Sequence, residues 1–149
     1  MRTFSELQSN VQINEAFPLM SELRDRIRAD TFLAEVRRQQ CQGYQLVGAF
    51  EEATLVALAG TRRTHTLSRG EHVFVDDLVT DERARGKGHA AALLRWVATQ
   101  AAAEGIERMY LDSRVTAKGF YERAGFTFLT SIPCWVDIPK FLAEAPAVL

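Results

Sequence analysis

The chain has 149 residues, enough for one domain with a real core, and its 47% hydrophobic and 25% charged residues are those of an ordinary globular protein. A net charge of −1 excludes the chain-wide basic field that would draw nucleic acid or a membrane surface. No uninterrupted apolar run approaches the ~20 residues of a membrane span.

The opening stretch MRTFSELQSN has no basic segment followed by an apolar one, so no signal peptide is read and a cytoplasmic protein is expected. Cys41 and Cys134 are far apart, in no CxxC spacing, and read as reduced thiols. Residues 3–7 read as a short edge strand. Leu19, Met20, Leu23 and Ile27 recur at helical spacing behind Pro18, a good first-turn residue, which predicts a helix over 18–28. A second helix is expected over 30–42. Asp30 or Thr31 caps it, Phe32, Leu33 and Val36 line its inner face, and Gly43 stops it. Residues 43–50 (GYQLVGAF) and 54–64 (TLVALAGTRRT) then read as a hairpin around Glu51-Glu52, and 72–80 as a third long strand after a polar loop.

That third strand runs into Arg85-Gly86-Lys87-Gly88-His89-Ala90, and an apolar stripe follows at once: Ala90, Leu93, Leu94, Val97, Ala98 and Ala101. A strand, a Gly-containing loop and a helix start leave backbone N–H groups without partners at the positive end of a helix dipole, which makes a phosphate or pyrophosphate site. The helix extends over 88–104 and stops at Gly105. A strand over 106–111 returns parallel to the previous one through this crossover. Residues 116–123 read as a short helix ended by Gly125, and 126–132 and 135–138 as two more strands broken around Pro133. The expected fold class is α+β in a single domain, 1–149. It has a mixed central sheet of about 6–7 strands, antiparallel early and parallel in the middle, flanked by about four helices.

Two motifs carry a resemblance. Arg85, Gly88 and Ala90 form Arg-x-x-Gly-x-Gly/Ala between the strand ending Leu78-Val79-Thr80 and a long helix. About thirty residues on, Ala117, Phe120, Tyr121, Gly125 and Phe126 form A-x-x-F-Y-x-x-x-G-F. The pair, in this order and at this separation, resembles the Gcn5-related N-acetyltransferase (GNAT) superfamily, over nearly the whole chain. The resemblance implies acetyl-CoA as acyl donor, with its pyrophosphate on the amides of Arg85, Gly86, Lys87, Gly88, His89 and Ala90. Arg83 and Lys87 stand where they could reach CoA phosphates. It implies a strand splayed from its parallel neighbour. Backbone groups near Leu78 and Thr80 would then meet the acetyl carbonyl and the pantetheine arm, while Val79, between them, points to the other side. Tyr121 matches the tyrosine that protonates the departing thiolate. Where the family often has Asn, this chain has Arg114 after Ser113, either of which could contact the cofactor.

Acetyl transfer to an amine also asks for a route for the amine's proton. Asp76 and Asp77 precede the acyl site and, by strand alternation, face opposite ways. One of them facing the cleft could act as base, bind the ammonium, or stand as a solvated pair. His89 reads as an exposed first-turn residue contributing its N–H. His65 and His72 have no ligand-like neighbours, so no metal site is assigned. The expected activity is N-acetyl transfer to a primary amine of a small molecule or peptide, with no nucleic-acid or membrane partner. The acceptor pocket is expected from residues around Arg26–Phe32 and Ile132–Trp135, and the resemblance allows a homodimer. Two rivals remain: a non-catalytic acyl-CoA-binding module on the same fold, and a dinucleotide-binding unit. The second rests on Gly86-x-Gly88-x-x-Ala91, with Asp112 lying 24 residues past Gly88.

Overall fold

The computed structural model describes residues 1–144. They fall into two compact units, Met1–Leu111 and a second starting at Asp112. The first holds a five-stranded sheet in the order β1-β2-β3-β4-β5, with β1 Arg2–Glu6, β2 Tyr44–Glu51, β3 Thr54–Thr66, β4 Gly70–Thr80 and β5 Met109–Leu111. β1 to β4 pair antiparallel, and β4 pairs β5 in parallel. Glu52 and Ala53 join β2 to β3 with both φ values positive, as a two-residue primed turn requires.

Helices α1 (Asn10–Glu15), α2 (Phe17–Leu23) and α3 (Phe32–Gln40) precede β2, and α4 (His89–Ala103) joins β4 to β5. Two apolar clusters hold these elements. Ile13, Leu19, Met20, Phe32 and Val36 from α1 to α3 meet Tyr44, Leu46, Leu58 and Val79 of the sheet. On the other face Leu93, Val97 and Ala101 of α4 meet Val47, Ala49, Ala57, Ala59 and Val73. The three alanines are small enough to let the helix come close to the strands.

The antiparallel strands, the parallel pair and the long helix stand where the sequence places them. The first expected helix is shorter and ends at Leu23, and α1 was not expected at all. In the second unit a 3₁₀ turn (Val115–Ala117) leads into α5 (Lys118–Arg123). Gly125, at φ +96°, closes α5: its N–H reaches the Glu122 carbonyl, and that of Phe126 reaches the Tyr121 carbonyl at 2.9 Å. The two strands expected over 126–132 and 135–138 are absent, and the described sheet has five strands, not six or seven. The aromatic and β-branched residues there have strand propensity, but a strand needs a ladder and Pro133 lacks a donor. Asp137 and Pro139 start a helix instead, α6 (Ile138–Ala143), with the Asp137 carboxylate accepting from the Lys140 N–H at 3.0 Å.

Candidate active site

β4 and β5 pair at only three positions, Val73 to Val75 opposite Met109 to Leu111. β4 continues to Thr80, so from Asp76 onward its outer edge has no ladder partner among the described residues. Backbone donors and acceptors left so need partners from elsewhere, and an extended ligand can supply them as a strand would. Leu78 and Thr80 lie on that edge. Leu78 packs with the α4-side cluster and Val79 is buried in the opposite one, the alternation expected of them.

The free edge runs directly into the loop. A 3₁₀ turn, Glu82–Ala84, is capped by Asp81, which accepts from the Arg83 N–H at 2.9 Å and also pairs with the Arg83 guanidinium. Arg83 is therefore committed to Asp81, whereas Arg85 and Lys87 are exposed and paired with no described carboxylate. Gly86 and Gly88 take φ +80° and +78°, a left-handed backbone that glycine adopts at no steric cost, and nothing stands within 4 Å of where a Cβ would be. These glycines serve the backbone path, not tight packing. Gly88 is the N-cap of α4 and has no capping side chain; the first turn holds no acidic residue. The first-turn N–H groups of α4, those of His89 and Ala90 among them, thus lack internal partners at the positive end of a 15-residue helix. Such an arrangement can hold an anion such as a phosphate or pyrophosphate.

His89 is not the exposed first-turn residue that the sequence suggests. It is buried, at 3% exposure, and its Nδ1 has no hydrogen-bond partner among the described residues. It opens the stripe that continues four residues at a time through Leu93, Val97 and Ala101. That spacing was the signal available in the sequence. Burial, aided by the charge of Arg2 and opposed by that of Glu51, lowers its pKa below the ordinary imidazole value.

Asp76 and Asp77 do not face opposite ways. Gly60 pairs with Asp77 and Thr61 with Val75, so Asp76 is an extra residue in β4, a bulge that brings both side chains to one face. There Asp77 accepts from the Tyr44 hydroxyl at 2.9 Å and from Arg24 Nε at 2.8 Å. Asp76 pairs with Arg62, which also lies over the Tyr44 ring. Gly60 leaves the room: a Cβ there would run into the Tyr44 hydroxyl and the Asp77 carboxylate. Burial raises the Asp76 pKa against the opposing pull of Arg62. Burial, then the nearby Asp77 charge, lifts the Tyr44 pKa far above its ordinary value. Both carboxylates are thus held by cations beside the free edge. Arg24, Arg62 and Tyr44 went unnoticed in the sequence because nothing local marks them; the bulge and the register bring them together.

Ser113, Arg114 and Tyr121 belong to the second unit. The Ser113 hydroxyl bonds the Arg114 carbonyl at 2.8 Å, and Arg114 is exposed at the start of the 3₁₀ turn. Tyr121 is buried between Phe120 and Phe126, with ring centroids 5.0 and 5.4 Å away, and burial raises its pKa. Among the described residues no group of three or more His, Cys, Asp or Glu could hold a metal, and no helix is long and apolar enough to cross a membrane. A dinucleotide fingerprint does not fit the first unit. The Glu82–Ala84 turn separates β4 from the glycines, where a tight turn at the strand end is required. A cleft of about 570 Å³ lies at the other end of the sheet, between Glu6, Arg37, Tyr44 and Arg63, and is lined by none of the catalytic or cofactor-binding residues expected from the sequence.

Residues 10–126 match the model of the Acetyltransferase (GNAT) family. The chain is 32% identical over 127 residues to the uncharacterized N-acetyltransferase YhdJ of Bacillus subtilis (strain 168), covering 82% of this chain and 89% of that one. Among solved structures it resembles glucosamine-6-phosphate N-acetyltransferase from Arabidopsis thaliana, with a TM-score of 0.72 at 19% identity over 92% of this chain and 99% of that one. It also resembles the aminoglycoside N-acetyltransferase AAC(6')-Iy in complex with CoA, with a TM-score of 0.79 at 15% identity over 92% and 95% of the two chains. At such identities these two likenesses speak for the fold.

Proposed function

The chain belongs to the GNAT acetyltransferase family, and from that premise we propose that it moves an acetyl group from acetyl-CoA directly to a primary amine of a small molecule or peptide. The observation that carries this reading is the β4 edge, which has no ladder partner among the described residues beyond Val75 and is followed, through the Glu82–Ala84 turn, by an uncapped helix start. One end offers backbone groups to a pantetheine arm and acyl group, the other offers amides to a pyrophosphate. A CoA-bound acetyltransferase of the same fold supports the choice of donor.

Acetyl-CoA supplies a thioester, an acyl group activated toward an amine. The amides of Gly86 to Ala90 hold the pyrophosphate, with Arg85 and Lys87 as unpaired cations beside it. A β4 N–H near Leu78 stabilises negative charge on the acyl oxygen as the amine attacks, a contribution of about 2.7–4 kcal/mol where one such donor has been removed from other enzymes. Asp76, whose proton affinity burial raises, takes the amine's proton directly or through water. Asp77, held by Arg24 and Tyr44, fixes the bulged strand. On the family resemblance, Tyr121 is assigned the acid that protonates the leaving thiolate, and Ser113 and Arg114 are assigned contacts with the cofactor.

The test is thiol release from acetyl-CoA across a panel of amines, with CoA binding measured by calorimetry. Turnover on some amines and saturable CoA binding are expected, and absence of CoA binding overturns the reading. Tyr121→Phe should lower kcat by about 10²–10⁴-fold with the best amine, the range of a general acid. An unchanged kcat removes the acid role and leaves the cofactor assignment standing.

A further inference from the structure

β1 reaches the anion loop from behind. Phe4 stacks on Trp96 of α4 with ring centroids 6.2 Å apart. Residues two apart in a strand share a face, so Arg2 lies on the same α4-facing side. Trp96 is two turns from the helix start, and Arg2 is the next residue along that face in the same direction. There Arg2 Nη2 donates to the Lys87 carbonyl at 2.8 Å. The main chain of Arg2 is paired opposite Glu51, so the guanidinium is anchored by the sheet and not by the loop.

In a trans peptide the C=O and N–H point in opposite directions. A Lys87 carbonyl drawn back toward Arg2 therefore turns the Gly88 N–H away from Arg2, and nothing crowds the Cβ positions of Gly86 and Gly88. Glycine on the far side of this peptide makes the opposite orientation sterically accessible. Nothing else described holds the Lys87 carbonyl, and no residue of the loop itself fixes the peptide. Among the described residues the buried Arg2 Nε has no partner, and neither has Nδ1 of His89. A buried donor without an acceptor is unfavourable, so the position of Arg2 is not explained by its own hydrogen-bonding needs.

We propose that Arg2 is a positioning residue of the cofactor cradle: it fixes the Lys87–Gly88 peptide so that the Gly88 N–H faces the bound pyrophosphate, and adds a positive charge behind the loop. The inference rests on the acetyl-CoA reading, and the test separates the two. Arg2→Met keeps the apolar stem and removes the donor. CoA affinity by calorimetry should fall roughly two- to tenfold, the worth of one hydrogen bond. The KM for acetyl-CoA should rise to match with kcat retained. With acetyl-pantetheine, a thioester without the pyrophosphate, Arg2→Met and the wild type should have the same kcat/KM. A merely structural role would weaken both donors alike. Should Arg2→Met not fold, Arg2→Gln, which is neutral and too short to reach the Lys87 carbonyl, is put through the same pair of donors, and a loss confined to acetyl-CoA is expected. Unchanged CoA affinity, or an equal loss with both thioesters, overturns the inference alone. Wild-type protein that binds no CoA overturns the functional reading with it.

Discussion

The start of α1 is closed by its own side chains, and the start of α4 has none to close it. Ser9 accepts from the Gln12 N–H at 3.1 Å while the Gln12 side chain accepts from the Ser9 N–H, a complete capping box. Gly88 offers α4 nothing, and two exposed cations, Arg85 and Lys87, precede a helix end that disfavours them. A missing cap costs about 0.5–2 kcal/mol. Each fully buried Leu or Val of α4 contributes ~1.5–3 kcal/mol, and Leu93, Leu94 and Val97 are all buried. Packing therefore holds α4 whether or not its start is satisfied, and α1, six residues long, has no such margin. The start of α4 is free to serve a ligand because the helix does not depend on it.

The largest effect should come from giving α4 the solution α1 uses. Ala91 is exposed in the first turn, in the position that Gln12 holds in α1. Ala91→Glu adds a carboxylate that suits the helix dipole, worth about 0.3–1 kcal/mol, and the melting midpoint should rise by roughly 1–3 °C. The same charge repels a pyrophosphate, and CoA affinity should fall about ten- to a hundredfold. Stability and affinity are expected to move in opposite directions. Were calorimetry and thermal melts to show both rising, the contrast between the helix starts would lose its functional meaning.

Next in size is the reverse operation. Ser9→Ala should cost about 1 kcal/mol of stability by urea unfolding, through loss of the cap. The KM for acetyl-CoA should not change, since α1 offers the cofactor nothing. A KM shift of severalfold would mean that the two starts are not independent.

What the sequence discloses of this contrast is uneven, for physical reasons. The loop and the α4 stripe are local patterns, a glycine spacing and a 3.6-residue period, and both are legible. So are β2 to β4, whose apolar runs are bounded by turn residues. The capping box of α1 was also written locally, as Ser9-x-x-Gln12, but lay before a segment with little apolar periodicity. The bulge at Asp76 was not legible, because alternation assumes an unbroken ladder and the register shift against Gly60 depends on β3. Arg2 was likewise hidden, since only the pairing of β1 with β2 carries it to Lys87. The segment after Phe126 misled because propensity counts residue types, whereas a strand requires a neighbour.

The smallest effect separates the two starts by pH. α1 begins with Ser9, Asn10, Val11 and Gln12, none of which titrates between pH 5 and 8. α4 begins with buried His89, whose pKa burial holds below its ordinary value. In the unfolded chain this imidazole takes its proton near pH ~6.5. Between that pH and the lower folded pKa, the unfolded state binds more protons than the native one, so stability falls as the pH falls. The contribution of His89 is complete above pH ~6.5 and is lost progressively below it. His89→Gln cannot titrate, and its stability measured by urea unfolding should depend less on pH between 7 and 5 than that of the wild type. Ser9→Ala should keep the wild-type pH slope while lowering the whole curve. If His89→Gln keeps the wild-type slope, the imidazole takes up its proton as readily in the native state as in the unfolded chain, and His89 joins Arg2 as a charge behind the cradle only once the pH falls below that of an ordinary imidazole.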